Sequence, residues 1–255
     1  MTIKEKNVLI TGAARRIGAA IASDFADNGW KVAVHYQNSK KEAVNLVENI
    51  NESGGNAIAI FADLEKEDQA QYLIDEATQK LGTLTCLVNN ASVFEFDSID
   101  TATIDSWQHH LKTNLQAPFF LIQQFSKLLP TDINGNVINL IDQRVWNLTP
   151  HFASYTISKV GLWALTQSLA LALAPRIRVN GVGPGPALPS PRQTNKQFKE
   201  QCINTPLNRG TTPEEICQAV KFILSSPSMT GQMIALDGGQ HLEWAKPTNT
   251  DTPAE

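Results

Sequence analysis

Asn7-Val8-Leu9-Ile10-Thr11-Gly12-Ala13-Ala14-Arg15-Arg16-Ile17-Gly18-Ala19-Ala20-Ile21 is the stretch whose reading decides the fold. Val8-Leu9-Ile10 is a short apolar run, the pattern of a strand buried on both faces, and Gly12 opens a turn directly after it. Apolar residues then recur at helical spacing, which predicts a helix from about Arg16 to Asn28 with Gly29 as its stop. The turn from Thr11 to Gly18 therefore joins the carboxyl end of a strand to the head of a helix. Unpaired backbone N–H groups and the helix dipole can receive a pyrophosphate there, although a purely structural turn looks the same when taken alone.

Outward from this unit the same alternation continues. Val32-Ala33-Val34 precedes a helix over 40–53, Gly54-Gly55 leads into a strand from Ala57 to Phe61, and a helix over 67–80 precedes Thr85-Cys86-Leu87-Val88. A long helical stretch runs from about Thr103 to Leu129. After it come a strand from Val137 to Ile141, a helix from about Tyr155 to Leu173, a strand from Ile177 to Val182 and a last strand at Met233-Ile234-Ala235-Leu236. Seven strands with intervening helices predict an α/β chain: a single-domain, Rossmann-like, doubly wound parallel sheet with helices on both faces. Its ligand belongs beyond the carboxyl ends of the strands, at the switch in strand order. The domain is expected to span 1–245. Residues 183–213 are rich in Gly, Pro, Ser and Thr, with a short helix near Asn195 to Cys202, and read as a mobile flap; 246–255 read as a flexible tail.

The chain's 255 residues, 42% of them hydrophobic, suffice for one large core. Its 25 acidic and 21 basic residues give a net charge of −4 without long runs of one sign. This argues against a nucleic-acid partner or a polybasic membrane surface and for a small-molecule substrate. Cys86, Cys202 and Cys217 form no CxxC pair and read as reduced thiols of a cytoplasmic protein. No run approaches the roughly 20 apolar residues of a membrane span, and Met1 to Asn7 carries no targeting signal. No metal is expected: His35, His109, His110, His151 and His241 lack ligand spacing and read as surface or cofactor-loop residues. Trp146, Trp163 and Trp244 stay open between core, pocket wall and subunit contact.

The second strand ends in His35-Tyr36-Gln37-Asn38-Ser39, without the Asp or Glu that grips a ribose diol, while Arg15 lies on the neighbouring turn and Ser39 offers a hydroxyl. That combination favours a 2′-phosphate and hence NADP(H). Tyr155 and Lys159 are four apart, on one face of a helix. A free tyrosine, with a pKa of about 10, is a poor acid at neutral pH unless a neighbouring ammonium stabilises its phenolate.

Thr11-Gly12 with Gly18, Asn89-Asn90-Ala91, Tyr155-x-x-x-Lys159 and Asn180-Gly181-Val182-Gly183-Pro184-Gly185, in this order and spacing, resemble the short-chain dehydrogenase/reductase family over nearly the whole chain. The resemblance implies that Thr11, Gly12, Arg15, Arg16, Ile17, Gly18, His35 and Ser39 serve the cofactor, that Asp63 and Leu64 flank its adenine, and that Asn90 and Ala91 line its ribose. It further implies Pro184, Gly185 and Pro186 beside the nicotinamide, Lys159 on the nicotinamide ribose, and Asn114 positioning a water that links Lys159 to solvent. A homotetramer, with C-terminal contacts from Met233 to Trp244, belongs to the same implication. One departure is Arg16, which replaces the family's usual middle glycine and can reach from the pyrophosphate towards the substrate.

The family's serine should stand 13 residues before the tyrosine, and that position holds Asp142. A serine donates a hydrogen bond to a carbonyl under reduction, whereas an ionised carboxylate only accepts and would repel the developing alkoxide. Asp142 argues instead for hydride addition to a heterocyclic C=N bond, where the ring nitrogen needs a proton that a carboxyl group can relay directly or through Tyr155. Capping of the following loop, or pairing with Arg144, is the competing explanation of this residue. Together with Ala14-Arg15-Arg16, Asn89-Asn90-Ala91-Ser92-x-Phe94 and Asn139-x-x-Asp142, the sequence is similar to the pteridine reductases and related dihydropteridine or dihydromonapterin reductases. That similarity implies Phe94 stacked on a pterin opposite the nicotinamide, with Ser92 and Arg16 touching pterin or cofactor phosphate; without it, Phe94 reads as core. The expected activity is NADPH-dependent reduction of a dihydropterin, dihydromonapterin or dihydrofolate-like substrate, with Asp142, Tyr155, Lys159 and Asn114 as the catalytic set. A carbonyl reductase acting on a 3-oxoacyl, sugar or other ketone is the alternative, and a non-catalytic NADP(H)-binding sensor the third reading.

Overall fold

A computed structural model of the chain describes residues 6–242. Seven parallel strands, β1 (Asn7–Ile10), β2 (Lys31–Tyr36), β3 (Asn56–Phe61), β4 (Cys86–Asn89), β5 (Gly135–Leu140), β6 (Ile177–Pro184) and β7 (Met233–Leu236), form one sheet in the order β3-β2-β1-β4-β5-β6-β7. Alternate residues of each strand serve opposite faces. Val8, Ile10, Val32 and Val34 pack beneath α1 (Arg16–Asp27), α2 (Lys40–Glu52) and α8 (Pro213–Ser225), whereas Leu9, Ala33, Leu87 and Val137 pack beneath α3 (Glu67–Leu81) and α5 (Ala117–Leu128). This double coverage explains why the strands read as continuous apolar runs. The expected single-domain Rossmann-like sheet is present, and strand order reverses between β1 and β4, where a cleft opens.

Three elements differ from expectation. The helical stretch from Thr103 to Leu129 is divided into α4 (Ile104–Leu111), a π-helical turn (Lys112–Gln116) and α5. Pro118 supplies the reason: it has no N–H for the carbonyl of Asn114, so a regular α ladder cannot run through this point. Helix α8 is absent from the expected elements, although Thr212 and Glu215 form a reciprocal capping box and Pro213 starts its first turn. Finally, the 183–213 segment is less irregular than its composition suggests. Strand β6 extends to Pro184, α7 spans Asn195–Ile203, and Thr211 N–H bonds the carbonyl of Pro186 at 3.0 Å. The tail over 246–255 and Trp244 lie outside the described residues. Among the described residues, no helix is long and apolar enough to cross a membrane.

Candidate active site

Two cavities, of about 300 Å³ and about 380 Å³, occupy the cleft and share Arg16, Ile17, Asn90 and Ser92 in their walls. The larger is built on the β1–α1 turn and is also lined by Gly12, Arg15, Gly18, His35, Ser39, Leu64 and Ala91. The head of α1 has no side-chain cap and no acidic residue in its first turn, leaving its N–H groups to an anion. Gly12 has φ of +60°, and a methyl group at Gly18 would collide with the carbonyl oxygen of Gly12. Arg16 itself adopts φ of +57°, the left-handed region that explains the family's glycine here. Beneath the turn, His35 accepts from Gly12 N–H through Nδ1 (3.0 Å) and faces the carbonyl of Ala62 through Nε2 (3.1 Å), so it is neutral with its proton on Nε2. Burial lowers its pKa to about 4.

Two expected cofactor residues stand apart from both cavity walls. Thr11 is buried, its hydroxyl oxygen accepting from Asn90 and Ala91 N–H, both at 2.9 Å, so it braces the 90–91 turn. Asp63 accepts from Gln37 Nε2 (2.9 Å) and Glu65 N–H (3.2 Å), which ties it to the segment after β2 and to its own loop.

The smaller cavity brings together Phe94, Asp142, Tyr155, Lys159, Pro184, Gly185 and Pro186. Tyr155 sits in the first turn of α6 (Ala153–Ala172), and its hydroxyl donates to Asp142 Oδ2 at 2.8 Å. Asp142 Oδ1 accepts from Arg144 N–H, also at 2.8 Å, and Arg144 Nε lies 3.7 Å from Oδ2. Asp142 is thus both cap of the following turn and partner of the tyrosine. Lys159 Nζ donates to the carbonyl of Leu140 (2.9 Å) and lies 5.7 Å from the Tyr155 ring centre. Burial lowers the lysine pKa to about 8, against the opposing pull of the Asp142 charge.

Phe94 is half-buried and belongs to two settings at once. It stacks on Phe152 (4.6 Å between ring centres), meets Tyr155 edge-on (4.7 Å), and also lines the cavity. Arg16 reaches across the cleft to the flap, donating to the carbonyls of Pro189 (2.8 Å) and Leu188 (3.2 Å). The Asn114 amide bonds Val93 and Ser158, and among the described residues no hydrogen bond joins it to Lys159.

Sequence reasoning offered Arg144 only as a partner of Asp142 and missed its place in the cavity wall, where it is buried with its guanidinium 5.2–5.7 Å from the ring centres of Phe94, Phe152 and Tyr155. A basic residue two positions after Asp142 was its signal. The expectation for His110 as a surface or cofactor-loop residue is corrected: it is fully buried, because Ser106, Ser154 and the Glu95 backbone satisfy its ring.

Residues 12–241 match the family described as enoyl-(acyl carrier protein) reductase. An uncharacterized oxidoreductase of Methylorubrum extorquens is 36% identical over 245 residues, covering 93% of this chain and 98% of its own. The 3-oxoacyl-[acyl-carrier-protein] reductase FabG of Staphylococcus aureus is 34% identical over 242 residues, with the same 93% and 98% coverage. The chain belongs to the short-chain dehydrogenase/reductase family. Among solved structures, this family member is similar to FolM alternative dihydrofolate reductase 1 from Brucella canis, complexed with NADP. The identity is 45% and the TM-score 0.93, over 97% of this chain and 98% of that one.

Proposed function

We propose that this short-chain dehydrogenase/reductase reduces the C=N bond of a dihydropteridine with NADPH, in the substrate range of dihydropterin, dihydromonapterin and dihydrofolate. The observation that carries the reading is the Tyr155–Asp142 hydrogen bond at the wall of a cavity that also holds the Phe94 ring. Both Asp142 oxygens accept hydrogen bonds, so this position offers no donor to a ketone oxygen. The kinship with a FolM alternative dihydrofolate reductase points the same way.

NADPH fits the residues present: the uncapped head of α1 for the pyrophosphate, and for a 2′-phosphate Ser39 after β2 with Arg15 on the neighbouring turn, whose guanidinium also meets Glu42 at 3.9 Å. When bound, the cofactor supplies the hydride that adds to the ring carbon. Tyr155 supplies the proton to the ring nitrogen, so that the C=N π bond becomes C–H plus N–H and the phenolate regains a proton from solvent. Asp142 orients the tyrosine hydroxyl, and the Lys159 ammonium stabilises the phenolate. Phe94 and the flap confine the planar ring.

NADPH oxidation with dihydrobiopterin, dihydromonapterin and dihydrofolate tests the proposal. Turnover with at least one is expected; absence of turnover with all three, alongside reduction of acetoacetyl-CoA, would transfer the reading to 3-oxoacyl reduction. The 34% identity to FabG is the observation that favours this second reading.

A further inference from the structure

Residues 92–97 carry Ser92 and Phe94 along the cavity wall beside Tyr155, and this loop is held by buried polar groups that line neither cavity. Val93 exchanges two hydrogen bonds with the Asn114 amide (2.8 and 2.9 Å), and Glu95 N–H donates to His110 Nε2 at 3.1 Å. Asp97 accepts from the Ser154 N–H (3.1 Å) and the Ser154 hydroxyl, and its backbone carbonyl accepts from Phe152 N–H at 2.8 Å. Behind the loop, His110 Nδ1 lies 2.7 Å from Ser154 Oγ, and Asn114 Nδ2 donates to Ser158 Oγ at 3.0 Å. His110 and Asn114 are four residues apart on one helical stretch, Ser154 and Ser158 four apart on α6, and all four are fully buried. The two helices are therefore joined by a ladder with matching period, one rung of which ends on the neighbour of Tyr155.

The ring of His110 has a defined proton. Nδ1 also faces the carbonyl of Ser106 (3.0 Å), which only accepts, so Nδ1 carries hydrogen; Nε2, facing an N–H, is bare. Burial lowers the pKa of this imidazole, in agreement with the neutral form.

We infer that His110 is a positioning residue for the reaction: through Glu95 on one side and Ser154 on the other, it sets the separation between the Phe94 wall and the Tyr155 hydroxyl. An apolar seam would pack these elements as tightly but would not specify their register, whereas a satisfied buried polar network does. The inference rests on Tyr155 as the acid and on the cavity as the substrate site, not on the substrate class.

The test compares wild type, His110→Leu, His110→Gln and Ser154→Ala. NADPH affinity is read by fluorescence, and kcat and KM with whichever of dihydrobiopterin or acetoacetyl-CoA the wild type reduces. His110→Leu is expected to raise substrate KM about tenfold and lower kcat while NADPH affinity stays within about twofold, since none of His110, Asn114, Ser154 and Ser158 lines the larger cavity. Ser154→Ala should shift the same parameters less. His110→Gln, whose amide can accept from Glu95, should recover most of the loss. Unchanged substrate kinetics in His110→Leu overturn the inference. So do a parallel loss of NADPH affinity in His110→Leu and Ser154→Ala, and a glutamine variant no better than leucine. A wild type that reduces only acetoacetyl-CoA defeats the pteridine reading and leaves this test intact.

Discussion

The nucleotide half of the cleft rests on two short stretches, Gly12 to Gly18 and His35 to Ser39, completed by Leu64 and the turn over 90–93, and its character comes from backbone geometry. The substrate half gathers Phe94, Asp142, Arg144, Tyr155 and the flap carbonyls of Leu188 and Pro189 from distant parts of the chain, and its character comes from side chains. A turn that must approach a phosphate closely constrains residue type strongly. The second half is fixed by packing and hydrogen bonds and can be rebuilt by single substitutions. Arg16 stands in both walls and bonds the flap carbonyls of Leu188 and Pro189.

The largest expected effect separates the halves. Tyr155→Phe should reduce turnover by about 100-fold or more, the ordinary scale of a lost acid, while NADPH affinity by fluorescence stays unchanged. A parallel loss of affinity would erase the distinction. Asp142→Ser should lower kcat/KM for a pteridine between about 10- and 100-fold and raise reduction of acetoacetyl-CoA, since a donor replaces an acceptor at the reacting atoms. Should both activities fall together, Asp142 serves folding rather than choice of bond. In the other half, Arg15→Ala is expected to weaken NADPH about tenfold with NADH unaffected, the size of one charge-assisted contact; equal weakening of both cofactors would remove Arg15 from the 2′-phosphate.

Two pH effects are smaller. Lys159 has its pKa lowered to about 8, so its ammonium is present below that value and lost above it. Turnover in a pH series should decline as pH rises through about 8, and a profile flat to pH 9.5 would contradict the phenolate-stabilising role. His35 has its pKa lowered to about 4, below the roughly 6.5 of the unfolded chain, so the unfolded state takes up the proton first as pH falls. Stability should be full above pH 6.5 and decline towards pH 4, seen as a falling Tm whose slope flattens in His35→Gln.

How far each half was legible in the sequence follows from the same contrast. Gly12, Gly18, the missing acid after β2 and the Tyr155–Lys159 spacing are local patterns, and the structure places all of them along the cleft. The substitution of Asp142 for serine was visible by counting from Tyr155. Its hydrogen bond to that tyrosine, and its simultaneous capping of the next turn, required β5 and α6 to be brought together. The π-helical turn was foreshadowed by Pro118 and helix α8 by Thr212 and Glu215, signals that composition alone obscures. Neither the burial of His110 nor the lodging of Arg144 among three rings is written in neighbouring residues, because both partners and rings come from elsewhere in the chain.

By itself, the sequence determined the parallel sheet, the glycine turn between β1 and α1 and the reductase family, since apolar period, glycine placement and short fixed spacings are properties of contiguous residues. The tertiary structure alone decided which groups surround Asp142, that Phe94 is braced by Phe152 as well as facing the cavity, and that His110 and Asn114 meet Ser154 and Ser158. Contacts of this kind depend on how separate helices and loops settle over a common sheet, and only close packing selects one register among those that the apolar pattern allows.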